Sequence, residues 1–275
     1  ALERQSLTLP ARQRAAQALQ DVCASLGLDY LQFSSRIAES ENIEKSLTLN
    51  WFQELVLGSK AYQERYLKEP VLDTASYLET HDLPLIEPFG ADLISNWSLQ
   101  SGIGAAIMTN RPSRGPQGFG GSPEAELGRD LVGLAVIPLI GYGEIAWLAD
   151  RSQKDPDQLA KPHPCHALAA IFLALGLPKE ISLTASLGDF SNLYQDLLAN
   201  MQGKTITVME DTPAGILSVR NAGELLRQIG IEVEVDAIGI AVSKIKKDAL
   251  EAAGARVVSE INAALSSLND LGSIS

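Results

Sequence analysis

The sequence predicts an α/β fold, with a mostly parallel sheet flanked by helices and a helical region ahead of it. Three observations predict this. The stretch Thr205–Gly223 reads as a strand, a tight acidic turn and a helix. Apolar strand-like runs alternate with helical patterns from about residue 84 to 268, the signature of repeated βα units. Residues 1–85 show apolar spacing of helical period and are poor in glycine. The expected division is a helical region over 1–85 and an α/β core over 86–275.

In the first region Pro10 stands near the start of a helix through Leu26, with Ala15, Leu19, Val22, Cys23 and Leu26 at core spacing, and Gly27 ends it. Further helices are expected at about 31–39, 42–57 and 59–67. Trp51, Phe52, Leu55 and Tyr62 form an aromatic-aliphatic group that reads as core, with a substrate-covering lid as the functional alternative. A Pro-containing loop at Leu83–Gly90 marks the change of character. A helix then runs to about Gln100, burying Leu93, Ile94 and Trp97.

The first strand of the core is Ile103–Met108, ending in Thr109-Asn110-Arg111-Pro112-Ser113. A hydroxyl at a strand end, followed by Asn110 and Arg111, can hold a phosphoryl oxygen through side chains and exposed N–H groups. Arg114–Pro123 is rich in Gly, Pro and Ser and reads as an exposed, mobile loop. Leu134–Ile137 is the next strand candidate, and Ile145–Leu148 lies on a short helix. Lys161-Pro162-His163-Pro164 enters a helix through Leu175, which puts a lysine just ahead of a helix N-terminus, where anions bind. His163, Cys165 and His166 have too few partners for a zinc site, and His166 is expected to be packed or exposed.

Thr205–Met209 is β-branched and apolar, as a buried strand should be. Glu210 and Asp211 follow at its end. Thr212 can cap the next helix, Pro213 suits its first position, and Ile216, Val219 and Leu226 recur at helical spacing. Adjacent carboxylates repel unless a hard cation such as Mg²⁺ offsets the repulsion. Val235–Val242 is the next strand, Gly254–Val258 a short edge strand, and Ile261, Ala264, Leu265 and Leu268 line a final helix, with 269–275 expected to fray.

Composition narrows the function classes. The chain has 275 residues and a net charge of −12, which argues against nucleic acid or an anionic membrane surface as its main partner. The longest uncharged run, Leu131–Gly143, is too short to span a bilayer. Two cysteines make no disulfide framework, which points to a reducing, cytoplasmic compartment.

Met209-Glu210-Asp211-Thr212-Pro213-Ala214-Gly215 resembles the fourth motif of the haloacid dehalogenase (HAD) superfamily, whose acids hold Mg²⁺. Thr109 matches the strand-ending Ser or Thr of the second motif. Lys161-Pro162-His163-Pro164 resembles the third, whose lysine steadies the nucleophile and the phosphoryl charge. The three occur in family order. The resemblance implies a Rossmann-like three-layer sandwich with a cap-like region over 1–85, and a phosphatase-type site acting on a small phosphorylated molecule. In that site Thr109 and Lys161 would be catalytic, Glu210 and Asp211 would hold Mg²⁺, and Asn110 and Arg111 would contact substrate.

The family's first motif, a hydrophobic strand ending in Asp-x-Asp, is missing. The one Asp-x-Asp, Asp155-Pro156-Asp157, follows Arg151-Ser152-Gln153-Lys154 and is loop chemistry. In the family sheet the missing strand is central, between the strands ending at Thr109 and Met209. Residues preceding Ala1 could supply it, or Ile181–Leu187 could fill its place. The expected function is therefore a HAD-like site without its nucleophile. The alternative is a degenerate module that binds a ligand or partner without catalysis. Either way Thr109, Lys161, Glu210 and Asp211 should converge at one sheet edge.

Overall fold

The computed structural model describes residues 11–37, 43–44, 47–100, 103–119, 121–188 and 198–272. It is mixed α/β with short parallel sheets, and the chain divides into two compact units, Ala1–Asp82 and Leu83–Ser275. Among the described residues no helix is long and apolar enough to cross a membrane.

The first unit is helical: α1 (Ala11–Leu26), α2 (Tyr30–Ile37), α3 (Leu47–Leu57), α4 (Ser59–Tyr66) and α5 (Tyr77–His81). Pro10 lies outside the described residues. The helix α1 closes at Gly27, with the Leu28 N–H donating back to the Cys23 carbonyl at 2.8 Å. Its buried side chains include Ala18 and Cys23, but Val22 and Leu26 are exposed, against expectation. The aromatic group is also corrected. Tyr62 is buried, whereas Trp51, Phe52 and Leu55 stand 42%, 53% and 42% exposed.

The physical reason is a carboxylate. Glu54, on the buried side of α3 with Gln53 and Leu57, accepts the N–H groups of Val71 (2.8 Å), Leu72 (2.7 Å) and Asp73 (3.2 Å) and the Ser59 hydroxyl (2.7 Å). Four donors converging on one charge fix which side of α3 turns inward, and apolar spacing alone does not reveal that. Gly58 joins α3 to α4 at φ 79°, and a Cβ there would sit 2.7 Å from the Ser76 nitrogen, so only glycine fits.

The second unit runs α6 (Pro88–Leu99), β1 (Ile107–Met108), α7 (Glu124–Leu131), β2 (Leu139–Ile140), α8 (Tyr142–Ser152), α9 (Pro164–Ala174), α10 (Lys179–Ala185), β3 (Lys204–Glu210), α11 (Pro213–Gln228), β4 (Val233–Ile240), α12 (Lys244–Ala252), β5 (Arg256–Val258) and α13 (Ile261–Gly272). Among the described residues the strands form two parallel sheets, β1–β2 and β3–β4–β5. The fraying expected over 269–275 finds helix as far as Gly272, and 273–275 lie outside the described residues.

Three expectations are corrected here. Leu134–Ile137 is a turn, and the strand is Leu139–Ile140. Leu134 and Ile137 are buried at a spacing of three while Val136 is exposed, because the turn closing α7 points both inward. Ile181–Leu187, the possible central strand, lies mostly on α10: Pro178 immediately precedes it, and Ser182, Leu183 and Ala185 are its buried positions. A short apolar run fits either a helix or a strand, and the helical packing prevails. Arg114–Pro123 is not a wholly exposed loop, since Gly115, Pro116, Ser122 and Pro123 are buried.

Three apolar clusters hold the unit together. Leu168, Phe172, Ile216, Leu226 and Leu250 pack with Val208 and Ala237 beside β3 and β4. Ile140, Ile145, Leu148, Leu159 and Leu183 surround β2. Ile86, Ile137 and Leu265 form the third, against which Ile107 and Met209 pack from β1 and β3. Each fully buried Leu, Ile or Phe contributes about 1.5–3 kcal/mol, so these clusters set the positions of the strand ends.

Candidate functional site

The site is built at the carboxyl ends of β1 and β3. β3 ends at Glu210, and Thr212 then caps α11, its hydroxyl accepting the Gly215 N–H at 3.2 Å. Pro213 occupies the first turn, as read from sequence. Gly215 is required by packing. A Cβ there would lie 1.9 Å from Oε1 of Glu210, so only glycine lets the helix start close over that carboxylate.

Glu210 folds inward. Its Oε1 pairs with Nζ of Lys161, and its Oε2 accepts the Asp211 N–H at 2.9 Å and the Thr212 hydroxyl at 3.4 Å. The same Lys161 Nζ donates to the Met108 carbonyl at 3.2 Å. The Lys161 and Glu210 side chains are 8% and 10% exposed. Lys161, three residues ahead of α9, is thus a buried cation joining the end of β1 to the end of β3.

Thr109 follows directly on Met108. Its N–H pairs with the Ile140 carbonyl of β2 at 3.0 Å, and its hydroxyl accepts the Arg111 N–H at 3.1 Å, leaving the hydroxyl proton for another acceptor. Asn110 and Arg111 are exposed. The Arg111 guanidinium lies against Gly128 of α7, 3.2 Å from where a Cβ would stand.

Asp211 points outward, 62% exposed on its side chain, and pairs with Lys246 of α12 at 3.5 Å. The structure therefore brings Lys161, Glu210 and the Met108 carbonyl together, with Thr109 and Asp211 the next residues along the chain.

Two further groups escaped the sequence reading. Lys246 was not singled out, although Ser243 capping α12 places it in the first turn beyond β4 (Ser243 Oγ accepts the Lys246 N–H at 3.4 Å). The second is a buried network behind the Thr109 loop. Ser113 bonds Oε2 of Glu144, whose Oε1 meets Lys179 at 2.5 Å, and the Gly143 N–H donates to Ser113 Oγ at 3.0 Å. Glu144 and Ser113 are fully buried. Gly121 and Gly143 both press on the Ser113 carbonyl, where a Cβ would come within 1.9 Å. The network fixes the loop carrying Thr109, Asn110 and Arg111. A serine five residues past a strand gives no hint of a glutamate partner 31 residues on.

His166 is fully buried. Its Nε2 donates to the Ile140 carbonyl at 3.1 Å, while Nδ1 has no partner. Burial first, and the Lys161 charge second, push the ring down to about 3, against the opposing pull of the Ile140 carbonyl. It is a neutral core histidine. Asp155 caps a short turn through the Asp157 N–H at 2.9 Å, the loop role expected of the Asp-x-Asp.

The acids give an incomplete fit to Mg²⁺, which takes several oxygens in near-octahedral geometry. Glu210 is committed to Lys161 and the turn, so Asp211 alone offers a carboxylate outward. Among the described residues no cluster of three or more His, Cys, Asp or Glu gathers. Glu210 and Asp211 each pair with a lysine, Lys161 and Lys246, where a cation was expected to offset their repulsion. No family model, curated protein or solved structure matches the chain, so its reading rests on this geometry.

Proposed function

We propose that the second unit is a HAD-like phosphohydrolase core whose site lacks its aspartate nucleophile. Residues 1–275 then hold a small phosphorylated molecule without turning it over. One observation carries the reading: Lys161 links the end of β1, next to Thr109, to Glu210 at the end of β3. That is the meeting of second, third and fourth motifs that the resemblance implies. In this reading the two parallel sheets are parts of one three-layer, Rossmann-like sandwich. Clusters contributed by α6 and α13 on one side and by α9 and α11 on the other support that arrangement.

The chemistry available is charge stabilisation. Lys161 and the Thr109 hydroxyl bind phosphoryl oxygens, the exposed Asn110 and Arg111 meet the rest of the substrate, and Mg²⁺ is at most a weak ligand of Asp211. In-line attack has no residue assigned to it. The second reading, a binding module without catalysis, is favoured by the Lys161–Glu210 and Lys246–Asp211 pairs, which satisfy both acids without a metal.

Two measurements test the proposal. Phosphate titration should show binding that weakens on the order of tenfold in Lys161→Met, since a charge-assisted contact is lost. Turnover of a generic aryl phosphate should be at background with or without Mg²⁺, because losing a covalent nucleophile removes several orders of magnitude in rate. Phosphate binding indifferent to Lys161→Met sinks the phosphoryl reading. Robust Mg²⁺-dependent turnover abolished by Asp211→Asn shows that the site is complete in this chain.

A further inference from the structure

We propose that a cleft in the second unit, where the end of α8, the start of α9, the end of α10 and α11 meet, is a binding site for a small aliphatic monocarboxylate. Neither the Lys161–Glu210 pair nor a phosphoryl group enters into it. The cleft has a volume of about 480 Å³, within the range of pockets that hold small molecules.

Its positive character comes from two side chains whose positions are set locally. Gln153 closes α8 in the left-handed region at φ 54°, and the Lys154 N–H donates back to the Ala149 carbonyl at 2.9 Å. Lys154 thus leaves the helix end at a fixed angle, and its ammonium has no hydrogen bond or ion pair among the described residues. His163 caps α9, its Nδ1 accepting the Cys165 N–H at 3.2 Å. The neutral ring therefore carries its proton on Nε2, which has no partner among the described residues. Burial first, and the Lys154 charge second, hold the ring below its ordinary value, so it is neutral at neutral pH. Lys154 is close enough to the ring for its charge to contribute. An unpaired ammonium beside a neutral N–H donor offers one positive charge and two donors, which matches a single carboxylate.

The rest of the cleft limits what that carboxylate is attached to. Pro164, Leu187 and Leu225 are its apolar walls, and Leu225 packs on its other side against the cluster between α9 and α11. The Ser186 hydroxyl is spent on the Leu183 carbonyl at 2.6 Å. Glu224 is the one acid among the described lining residues and is held by Arg227 at 2.9 Å. A second anionic group on the ligand would meet Glu224 and no second cation, at a desolvation cost with nothing to offset it. The complementary ligand is therefore charged at one end and hydrocarbon beyond it.

The walls are in place before a ligand arrives. Asn221 Nδ2 donates to the Pro162 carbonyl at 3.2 Å, and the Ser218 hydroxyl donates to the His163 carbonyl at 2.7 Å. Both donors stand on α11, so the backbone entering α9 is fixed against it, and binding has less conformational freedom to remove. Lys161, two residues earlier, turns inward to Met108 and Glu210, whereas His163 turns to the cleft. The two sites are chemically distinct although one segment carries a residue of each.

The test uses the full chain and proton NMR of the histidine rings. There are three histidines, so their C2–H resonances are few, and His163→Gln assigns the one at the cleft. Sodium pentanoate should shift that resonance saturably, with half-saturation on the order of 1 mM for a ligand of so few atoms. Pentanol, with the same chain and no charge, should bind on the order of tenfold more weakly. Acetate should lose about fourfold for each methylene it lacks. Glutarate, with a carboxylate at each end, should bind on the order of tenfold more weakly than pentanoate. Lys154→Gln should weaken pentanoate on the order of tenfold and leave pentanol unchanged. Lys154 is exposed and unpaired, so this variant keeps the fold, and the ligand series decides the question without any variant.

Any one of four results overturns the proposal: no saturable shift at His163, equal affinity for pentanoate and pentanol, glutarate matching pentanoate, or Lys154→Gln binding pentanoate as the parent does.

Discussion

Lys161→Met tests the pair on which the site depends. Lys161 and Glu210 are 8% and 10% exposed, so the methionine would leave a desolvated carboxylate with only the Asp211 N–H and the Thr212 hydroxyl as donors. Breaking one side of a buried pair costs about 3–5 kcal/mol, and the two remaining donors put the expected loss near the low end, about 3 kcal/mol. Glu210→Gln keeps an acceptor for the ammonium and should cost about 2 kcal/mol. The double variant should lose only about 2 kcal/mol, since removing both charges also removes both desolvation costs. The resulting coupling is about 3 kcal/mol. Urea unfolding at neutral pH, followed by tryptophan fluorescence, measures all three. For a unit of this size the Lys161→Met melting temperature should fall by roughly 6–12 °C. Additive single effects, or a Lys161→Met variant within about 0.5 kcal/mol of the parent, would refute the buried-pair reasoning.

Three other outcomes follow from the geometry. His166 stays neutral in the folded unit down to about 3, while the unfolded chain protonates near 6.5. The unfolded state therefore binds more protons in that window. Stability is full above about pH 6.5 and falls by up to about 1.4 kcal/mol per unit as pH drops toward 3. His166→Gln should remove that part of the slope in urea titrations, and an unchanged slope would count against it. Gly215→Ala should push the Glu210 carboxylate off Lys161 and cost about 2 kcal/mol, read as a lower urea midpoint; a neutral result would mean that Glu210 has another place to go. In the first unit, Glu54 is raised by burial but held below the usual carboxylate range by its bonds from Val71, Ser59, Leu72 and Asp73. Its contribution is present above the ordinary value of 4.5 and is lost as pH falls through the lower folded value. Glu54→Gln should cost about 2 kcal/mol at neutral pH and free the 71–74 backbone to exchange, and unaltered exchange there would contradict it.

The sequence by itself determined the local units, because their causes are local. Thr212 as cap, Pro213 in the first turn and β-branched residues ahead of them specify a strand–turn–helix whatever surrounds it. Where two local outcomes were nearly equal, tertiary packing chose. Ile181–Ala185 became helix because Ser182, Leu183 and Ala185 bury one helical face, and Leu134–Ile137 became a turn that points its two end residues inward. Trp51, Phe52 and Leu55 face outward because Glu54, buried with Gln53 and Leu57, collects backbone N–H groups from a loop about 17 residues on. Only the tertiary structure could decide the partners of charges. Lys161 with Glu210, Lys246 with Asp211 and Glu144 with Ser113 and Lys179 join residues 31 to 49 apart, and spacing carries no information about such pairs.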